Sequence, residues 1–445
     1  MEVTGIVCEY NPLHIGHARM IRQLRESGSE AVVCAMSGNF VQRGEAAVAD
    51  KLARAEMALR CGADLVLEIP TPWAVASAET FAQGGVSVLR RTGVVTSLAF
   101  GAECDDIEAL SAVAETLDSP MYRDALRSLP EDGATFAARR QLAVAAVLGE
   151  ERAALLRSPN NILAVEYLRC LRGTGILPIV VKRMGAGHDT PSPEEGVASA
   201  SWLRQMLLSG RTEEALAYMP EASARVMERE MEQGRAPADL RRCDRAVLDR
   251  LRRMEEEEWA RWDGGREGLY HRLYQAAEEA SSVAELLERS ATRRYPMARL
   301  RRMVLSAWLE LTDVPEEVPY LRLLAASGTG RKLLRQMQGA PVLTKAADVA
   351  KLGEAAEELF RRESRWTDLY ALACPTVQRC GGDWRITPVM AEKETRNEHE
   401  KAAYIADTAG GDAADCLRRA AAEGRHAGER GQAGSAAGDS PEGDC

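Results

Sequence analysis

Short apolar runs alternate with amphipathic stretches through the first two hundred or so residues of the chain. The runs are rich in Val, Ile and Leu and are bounded by polar residues or glycine, which predicts strands; the stretches between them have helical periodicity. Predicted strands cover residues 3–8, 31–36, 65–69, 94–100 and 177–181. Predicted helices cover residues 16–25, 48–60, 76–90 and 162–171. This alternation indicates βαβ units and a parallel sheet with helices on both faces.

The pattern changes at about residue 213, where stretches rich in Arg, Glu, Leu and Ala take over. Helices are predicted at residues 222–231, 239–257, 269–289, 298–311, 330–337 and 345–360. Beyond about residue 407 the chain is Ala, Gly, Asp and Arg without a period, which is typical of disorder. We therefore predict an α/β fold: a Rossmann-like parallel-sheet domain at 1–210, a mainly α-helical domain at 211–390, and a disordered tail at 407–445.

Composition and charge fit an ordinary globular protein. The chain has 445 residues, of which 46% are hydrophobic and 28% are charged, and 50 Arg stand against 7 Lys. A net charge of −10 argues against an overall basic surface, although a local basic face remains compatible with it. The N-terminal sequence lacks the features of a secretory signal, and no apolar run approaches the ~18 residues of a membrane helix. We expect a cytoplasmic protein that has no membrane contact.

The ten cysteines include no C-x-x-C pair. A chain of this length needs no disulfides to fold, so free thiols in a reducing cytosol are expected. No four-ligand spacing of Cys and His suggests a structural zinc ion. We predict no metal site built from protein side chains.

The strongest chemical signal follows the first predicted strand. The sequence EYNPLHIGH (residues 9–17) contains His14, Gly16 and His17 as an H-x-G-H motif at a strand-to-helix junction. A helix N-terminus offers unpaired N–H groups and a positive dipole end, which favour phosphate, and Gly16 has no Cβ to obstruct it. Two imidazoles there can donate hydrogen bonds to phosphoryl oxygens during attack on an α-phosphorus.

A second motif lies late in the predicted α/β domain. Ser199 and Ser201 stand at the start of a predicted helix, and Arg204 lies about one and a half turns along it. Ser199 is a natural helix N-cap, and an ordinary capped helix explains the local pattern as well as a ligand site does. Nucleotidyltransferases of the H-x-G-H type hold the β- and γ-phosphates at a Ser/Thr-rich helix start with an Arg. The two motifs together favour phosphate binding.

Polar groups also follow other predicted strands, at the sheet edge where open α/β sheets bind ligands. Ser37, Gln42 and Arg43 follow the second strand. Lys51 and Arg54 lie on the next helix, where a solvated charged face is the better explanation for Arg54. The remaining groups are Gly101 after the fourth strand, Asn160 at a helix start, and Lys182 with Arg183 after the fifth strand.

These segments, in this order, resemble the bacterial tRNA(Met) cytidine acetate ligases. The resemblance rests on GIVCEYNPLHIGH, MSGNFVQRGE, GADLVLEIP, FGAE, SPNNILAVEYL and the Ser-Ala-Ser helix start. The later segments TRRYPMARLRR, PYLRLLAASGTGRKLL and TDLYALA extend it to about residue 372. Leu13 and Ile15 stand where the family usually has Phe and Asn, and neither change touches the imidazoles.

The resemblance implies an ATP-dependent ligase with a nucleotidyltransferase fold. Such an enzyme activates acetate as acetyladenylate, releases pyrophosphate, and acetylates N4 of the wobble cytidine of elongator tRNA(Met). Mg²⁺ is expected only as the usual companion of ATP, and no stable protein partner is implied. The expected catalytic residues are His14, His17 and Lys51, with Ser37, Gln42 and Arg43 as contacts to acetate or phosphate. The implied ATP contacts are Val7, Cys8, Glu9, Tyr10, Asn11, Pro12, Leu13, His14, Ile15, Gly16, His17, Ala18, Arg19, Met20, Gly101, Asn160, Arg183, Ser199, Ser201 and Arg204.

A cluster of arginines in the second half is the expected tRNA contact. Its members, grouped around Tyr295, are Arg293, Arg294, Arg299, Arg301 and Arg302. Such a patch can contact phosphates and stack on an unpaired base. Neutralisation by the many nearby Glu in an amphipathic helix explains at least half of them equally well.

Three other functions fit the sequence less well than the ligase does. An adenylyltransferase acting on a small phosphorylated acceptor would need little beyond the α/β domain, so the large helical half argues against it. A class I aminoacyl-tRNA synthetase would share the letters HIGH but should have a K-M-S-K-S-like loop, which the sequence lacks. A non-catalytic RNA-binding adaptor would have no structural need for both imidazoles.

Overall fold

The structure is a computed structural model that describes residues 1–130, 135–182, 197–263, 268–311 and 313–391. Residues 1–394 group as one compact unit. The predicted tail and Arg183 lie outside the described residues. Among the described helices, none is long and apolar enough to cross a membrane.

Most strands of the described residues belong to one sheet. The strands are β1 (Val3–Cys8), β2 (Ala31–Ser37), β3 (Phe40–Val41), β4 (Glu45–Ala46), β5 (Leu65–Ile69), β6 (Ser97–Ala102), β7 (Leu177–Lys182), β8 (Leu321–Ala326), β9 (Val342–Leu343) and β10 (Val389–Met390). The order across the sheet is β10-β8-β5-β2-β1-β6-β7, with β9 beside β8, while β3 and β4 form a separate hairpin. Five adjacent strands, β5, β2, β1, β6 and β7, run parallel, and β8 is antiparallel to β5.

Helices connect and cover these strands. In the first half they are α1 (Ile15–Glu26), α2 (Lys51–Arg60), α3 (Thr71–Ala74), α4 (Ala78–Arg90), α5 (Ile107–Asp118), α6 (Pro120–Ser128), α7 (Phe136–Leu148), α8 (Glu150–Ala153), α9 (Pro159–Leu171) and α10 (Ala200–Leu208). In the second half they are α11 (Thr212–Leu216), α12 (Glu221–Glu232), α13 (Asp244–Arg252), α14 (Glu256–Asp263), α15 (Leu269–Glu279), α16 (Val283–Ser290), α17 (Met297–Leu309), α18 (Gly328–Leu334), α19 (Glu354–Tyr370) and α20 (Gly382–Arg385).

The predicted α/β class with a mostly parallel sheet is confirmed. Alternate residues along β2 enter two different cores: Val33 and Ala35 pack on one face of the sheet, and Val32, Cys34 and Met36 on the other. Strand β2 is therefore apolar on both faces, which explains why its sequence is a continuous apolar run. The eight cysteines of the described residues are all free thiols.

Several predicted boundaries need correction. The strand predicted at 94–100 runs from Ser97 to Ala102, because Gly93 makes a turn at φ +68° before it. The helix predicted at 239–257 is two helices, α13 and α14, and the one predicted at 269–289 is α15 and α16. Helices α5 to α8 were not predicted.

The second half of the chain also contributes to the sheet. Strand β8 is buried along its whole length and lies beside β5, although only helices were predicted in this region. The boundary at residue 210 stays a prediction of where the catalytic part of the chain ends and the tRNA-binding part begins. In the fold, both halves share one sheet.

The order of the strands creates a crevice for ligands. From β1 the chain passes through α1 to β2 on one side, whereas β6 pairs with β1 on the other side. Open α/β sheets bind ligands at such a reversal, beyond the carboxyl ends of the strands. The loop from β1 to α1, which carries the H-x-G-H motif, lies at this point.

Candidate active site

The two histidines of the motif stack against each other at the start of α1. His14 is the N-cap of the helix, and its Nδ1 accepts a hydrogen bond from the Gly16 N–H at 3.1 Å. The His17 Nδ1 accepts from the His14 N–H at 3.4 Å, and the ring centroids are 3.8 Å apart. Because each Nδ1 is an acceptor, each neutral ring carries its proton on Nε2, and Nε2–H is the donor that a phosphoryl oxygen requires.

Gly16 favours this arrangement, because a side chain here would be tightly packed. A Cβ at this position would lie 3.0 Å from His14 Cε1 and 3.3 Å from Val197 Cγ1. The glycine therefore makes room for the His14 ring, in addition to the approach of a phosphate expected from the sequence. The preceding Tyr10 has φ +46°, a conformation that is unfavourable for a residue with a side chain, and its ring lies 5.0 Å from that of His17.

Arg204 connects the second motif to this loop. Ser199 caps α10 by accepting a hydrogen bond from the Trp202 N–H at 3.2 Å, as predicted. The guanidinium of Arg204 donates to the Asn11 carbonyl at 3.1 Å and to Ser201 Oγ at 3.3 Å. Residues almost two hundred positions apart in sequence thus meet beside the histidines.

The predicted site residues on the other side of the crevice lie at the end of β6. Asn160 begins α9 and donates to Glu103 Oε1 at 2.6 Å, while the Asn161 N–H donates to Glu103 Oε2 at 3.0 Å. Gly101 lies in β6 two residues before Glu103. Glu103 thereby fixes the start of α9 next to Gly101. Its role was not predicted, although the sequence FGAE points to it.

Buried contacts hold the loop after β2 against the end of β1. The Glu9 Oε1 accepts a hydrogen bond from the Gln42 N–H at 2.8 Å, and burial raises the pKa of Glu9, although nearby arginines oppose that shift. Arg54 was expected on a solvated face, but it is fully buried and donates to the carbonyls of Ser37, Gly38 and Glu9. Sequence alone missed this role because periodicity does not reveal which carbonyls a long side chain reaches.

All three predicted acetate or phosphate contacts lie in this loop or next to it. Ser37 ends β2 and is fully buried, and its Oγ has no hydrogen-bond partner among the described residues. Arg43 is half-buried and contributes to the positive field at Glu9. The backbone N–H of Gln42 donates to Glu9, and its side-chain amide donates to the Ala76 carbonyl at 3.3 Å.

Lys51 lies elsewhere. Its ammonium is 2.8 Å from Glu68 Oε1 and 3.0 Å from Asp383 Oδ2, and all three side chains are buried. Glu68 belongs to β5, which is separated from β1 by β2, so this ion pair lies on the side of the sheet away from β6. The structure does not bring Lys51 to the histidines, and we no longer place it among the catalytic groups.

The arginine cluster around Tyr295 divides into two parts. Arg293 and Arg294 are exposed, and the guanidinium of Arg294 lies 5.6 Å from the Tyr295 ring centroid, as does that of Arg299. Arg301 instead forms an ion pair with Glu45 at 2.5 Å.

Arg302 belongs with Arg301. It donates to the Gln42 carbonyl at 3.3 Å, and burial lowers the pKa of Arg302 to about 10. Arg301 and Arg302 thus attach α17 to the loop after β2, and a direct RNA contact is a proposal for the other three only.

Glu45 links the two regions. Its carboxylate lies 3.7 Å from Arg204 and 2.5 Å from Arg301, so it stands between the H-x-G-H loop and α17. Glu45 ends the segment MSGNFVQRGE, but no role was predicted for it. Within the described ranges, no group of three His, Cys, Asp or Glu side chains is placed to hold a metal ion.

Comparison with known proteins places the chain in a family. A family model described as HIGH Nucleotidyl Transferase matches residues 1–382. The tRNA(Met) cytidine acetate ligase of Caldanaerobacter subterraneus is 35% identical over 389 residues, which is 84% of this chain and 96% of the relative. That of Acetivibrio thermocellus is 32% identical and covers 86% of this chain and 98% of the relative.

Solved structures support the same family. Thermotoga maritima TmcAL bound with alpha-thio ATP has a TM-score of 0.82 and 33% identity, covering 88% of this chain and 99% of that chain. The apo form of the same protein has a TM-score of 0.84. The family resemblance drawn from the motifs is confirmed. The chain belongs to the tRNA(Met) cytidine acetate ligase family of HIGH nucleotidyl transferases.

Proposed function

We propose that this chain is an ATP-dependent ligase that acetylates the wobble cytidine of elongator tRNA(Met). In the first step an acetate oxygen attacks the α-phosphorus of ATP, which forms acetyladenylate and releases pyrophosphate. In the second step the cytidine N4 amine attacks the acetyl carbonyl, which forms N4-acetylcytidine and releases AMP. Such an enzyme would act in the cytoplasm, where its tRNA is found.

The stacked pair His14 and His17 is the observation that carries the proposal. Their Nδ1 atoms accept backbone N–H groups, so each neutral ring carries its proton on Nε2, at the N-terminus of α1. Donors fixed before the reaction stabilise the charge that develops on the α-phosphoryl oxygens without reorganising. No covalent enzyme intermediate is needed, because positioning and electrostatics account for phosphoryl transfer.

The neighbouring groups are proposed to bind the rest of ATP. Arg204, held at the Asn11 carbonyl and Ser201 Oγ, would contact the β- and γ-phosphates, together with Ser199. The remaining proposed ATP contacts are residues 7–20, Gly101 and Asn160, with Arg183 outside the described residues. Mg²⁺ would enter with the triphosphate, whose oxygens it binds. Ser37, Gln42 and Arg43 stay our candidates for contacts to acetate or phosphate.

Acetate-dependent exchange of labelled pyrophosphate into ATP tests the proposal. We expect exchange that requires acetate, followed by transfer of the acetyl group to unmodified elongator tRNA(Met) when that tRNA is added. Exchange without transfer would contradict the proposed acceptor and leave the adenylation chemistry intact. Absence of exchange both with and without tRNA would refute the ligase itself.

A further inference from the structure

The acetyl transfer of the proposed function releases a proton, whereas the adenylation step does not. Acetate attacks the α-phosphorus as an anion that has no proton to lose. When the cytidine N4 amine attacks the acetyl carbonyl, a C–N bond forms, the bond from the acetyl carbon to the phosphate oxygen breaks, and AMP leaves with the electron pair. The nitrogen must also give up one hydrogen. A group that accepts this proton is therefore needed in the second step alone.

The stacked histidines are not placed to accept this proton. Each Nδ1 already accepts a backbone N–H, and each neutral ring has its own proton on Nε2. Two carboxylates nearby are engaged as well. Glu103 holds the start of α9 with both oxygens. Glu45 faces Arg301 with Oε1 and Arg204 with Oε2.

Glu9 has a carboxylate with one fixed and one open oxygen. It directly follows β1, five residues before His14. Its Oε1 accepts the Gln42 N–H at 2.8 Å, while its Oε2 accepts no hydrogen bond from the residues that the structure describes. The side chain is half-buried, and Oε2 is not enclosed, in contrast to the unpartnered Ser37 Oγ. The fixed oxygen thus orients the carboxylate, and the open one is accessible.

This carboxylate lies inside the crevice where the order of the strands reverses. Three cations face it: Arg204 of α10, Arg54 of α2 and Arg43 of the turn between β3 and β4. From the β6 side, Tyr167 of α9 is close enough for the charge of Glu9 to act on its hydroxyl. Because Arg204 is also the proposed ligand of the β- and γ-phosphates, Glu9 borders the proposed ATP site.

The surroundings of Glu9 also make it more basic. Burial raises the pKa of the Glu9 carboxyl above its ordinary value, although the Gln42 N–H and the three arginines oppose the shift. A general base is most effective when its pKa lies near the pH at which it acts. The crevice therefore moves the pKa of this carboxyl in the direction that proton abstraction requires.

We propose that Glu9 is the general base of the acetyl transfer and that its Oε2 takes the proton from the cytidine N4 amine. The proton passes to solvent after AMP has left, which restores the carboxylate for the next cycle. This inference rests on the proposed function, which supplies both the acetyladenylate and the cytidine.

Two assays on the full chain separate the two steps. One is acetate-dependent pyrophosphate exchange, and the other is single-turnover transfer from added acetyladenylate to unmodified elongator tRNA(Met). Glu9→Gln keeps an acceptor for the Gln42 N–H and removes the base. We expect it to slow transfer by about 10²–10⁴-fold and exchange by less than about fivefold. Glu2→Gln, at an exposed carboxylate beside the other end of β1, is the matched control and should slow neither.

The pH dependence and a shorter carboxylate distinguish a base from a structural contact. The rate of transfer by the wild type should rise with pH as Glu9 loses its proton, and Glu9→Gln should lack this rise. Glu9→Asp retains a carboxylate, so it should transfer at least about tenfold faster than Glu9→Gln. Transfer by Glu9→Asp that is no faster than by Glu9→Gln would contradict a role as base.

Two other results would overturn the inference. Equal slowing of exchange and transfer in Glu9→Gln would mean that Glu9 serves ATP binding or folding. Transfer by Glu9→Gln at the wild-type rate would mean that another group takes the proton. A failure of the proposed function is recognised separately, because the wild type itself would then neither exchange pyrophosphate nor acetylate the tRNA, and the inference would fall with it.

Discussion

At the scale of single residues, His14 has two functions that use different atoms. Its Nδ1 caps α1 through the Gly16 N–H, and the same contact keeps the proton on Nε2. The cap therefore also determines which nitrogen can donate to a phosphate. Substitutions at this position can separate the two functions.

We expect His14→Asn and His14→Ala to reduce the rate of acetate-dependent pyrophosphate exchange by about 10²–10³-fold, because both remove the Nε2–H donor. Asn can still cap the helix, so only His14→Ala should lower the free energy of unfolding, by about 1 kcal/mol. Urea denaturation measures this difference.

The affinity for tRNA should stay unchanged in both variants. His271→Ala is the control, since this exposed histidine pairs with Glu256 in the second half of the chain. If the His14→Asn variant catalysed exchange at the wild-type rate, helix capping alone would account for the His14 side chain, and the proposed role of its imidazole would be wrong.

At the scale of elements, the turn between β3 and β4 fixes the position of α17. Gly44 lies in this turn with φ +75°, and a Cβ there would be 2.6 Å from the Arg302 backbone nitrogen. Arg301 and Arg302 reach back to the same turn through Glu45 and the Gln42 carbonyl. The turn is thus in contact with α17 on one side and, through Glu45 and Arg204, with the H-x-G-H loop on the other.

Gly44→Ala should therefore destabilise the protein more than an ordinary substitution of a left-handed glycine. Gly28→Ala is the matched control, because Gly28 has φ +102° and no atom within 4 Å of a Cβ. We expect a loss of about 1 kcal/mol for Gly28→Ala and roughly 1–3 kcal/mol more for Gly44→Ala, measured by urea denaturation. Equal losses of unfolding free energy in the two variants would mean that α17 moves away from a Cβ at residue 44 without cost.

At the scale of the whole molecule, buried charges join the second half of the chain to the sheet. Lys51 and Glu68 of the first half meet Arg322 and Asp383 of the second half. Close by, Glu363 accepts hydrogen bonds from the Thr71 N–H and hydroxyl at 2.6 and 2.7 Å. Burial, and then the charge of Glu68, raises the pKa of Glu363 to about 8.

This raised pKa predicts how stability depends on pH. Native Glu363 keeps its proton up to about pH 8, whereas in the unfolded chain it loses the proton near its ordinary pKa of 4.5. The native state binds more protons in this interval, so its stability should fall as the pH rises from about 5 to 8.

Glu363→Gln, which stays neutral, should remove this part of the dependence, on the order of a few kcal/mol. Urea denaturation at several pH values measures it. Glu358→Gln, at an exposed position of the same helix, should leave the slope unchanged. If the unfolding free energy of the Glu363→Gln variant depended on pH as steeply as that of the wild type, another group would be responsible for the dependence.

The distribution of charge leads to a prediction for RNA. A chain with net charge −10 that acts on tRNA as proposed would need a local basic surface, and Arg293 and Arg294 are exposed beside Tyr295. Each substitution by Ala should weaken tRNA binding and reduce the slope of log affinity against log salt by about one. Fluorescence anisotropy over a salt series measures both quantities.

Arg123→Ala, at an exposed position on α6, is the control and should change neither quantity. Arg301→Ala should differ from the Arg293 and Arg294 variants, because its guanidinium is paired with Glu45 and makes no proposed phosphate contact. If neither the Arg293 nor the Arg294 variant changed the slope of log affinity against log salt, the RNA-binding surface would lie elsewhere.

The sequence by itself determined the class of the fold, the family and the main chemical motif. The central strands could be predicted because parallel strands are apolar on both faces, as in β1 and β5, whose bounds agree with the prediction. The histidines could be predicted because a local motif places them at a helix start, where caps and dipoles act within one turn.

Only the tertiary structure decided which distant residues meet. Arg54 and Lys51 look alike on the same predicted helix, yet one binds backbone carbonyls at the end of β1 and the other enters an ion cluster on the β5 side. Strand β8 and Asp383 come from a region for which only helices were predicted, and they complete the sheet and the buried ion cluster around Lys51. Periodicity reports which face of an element is buried, whereas the partner of a buried charge depends on contacts across the whole chain.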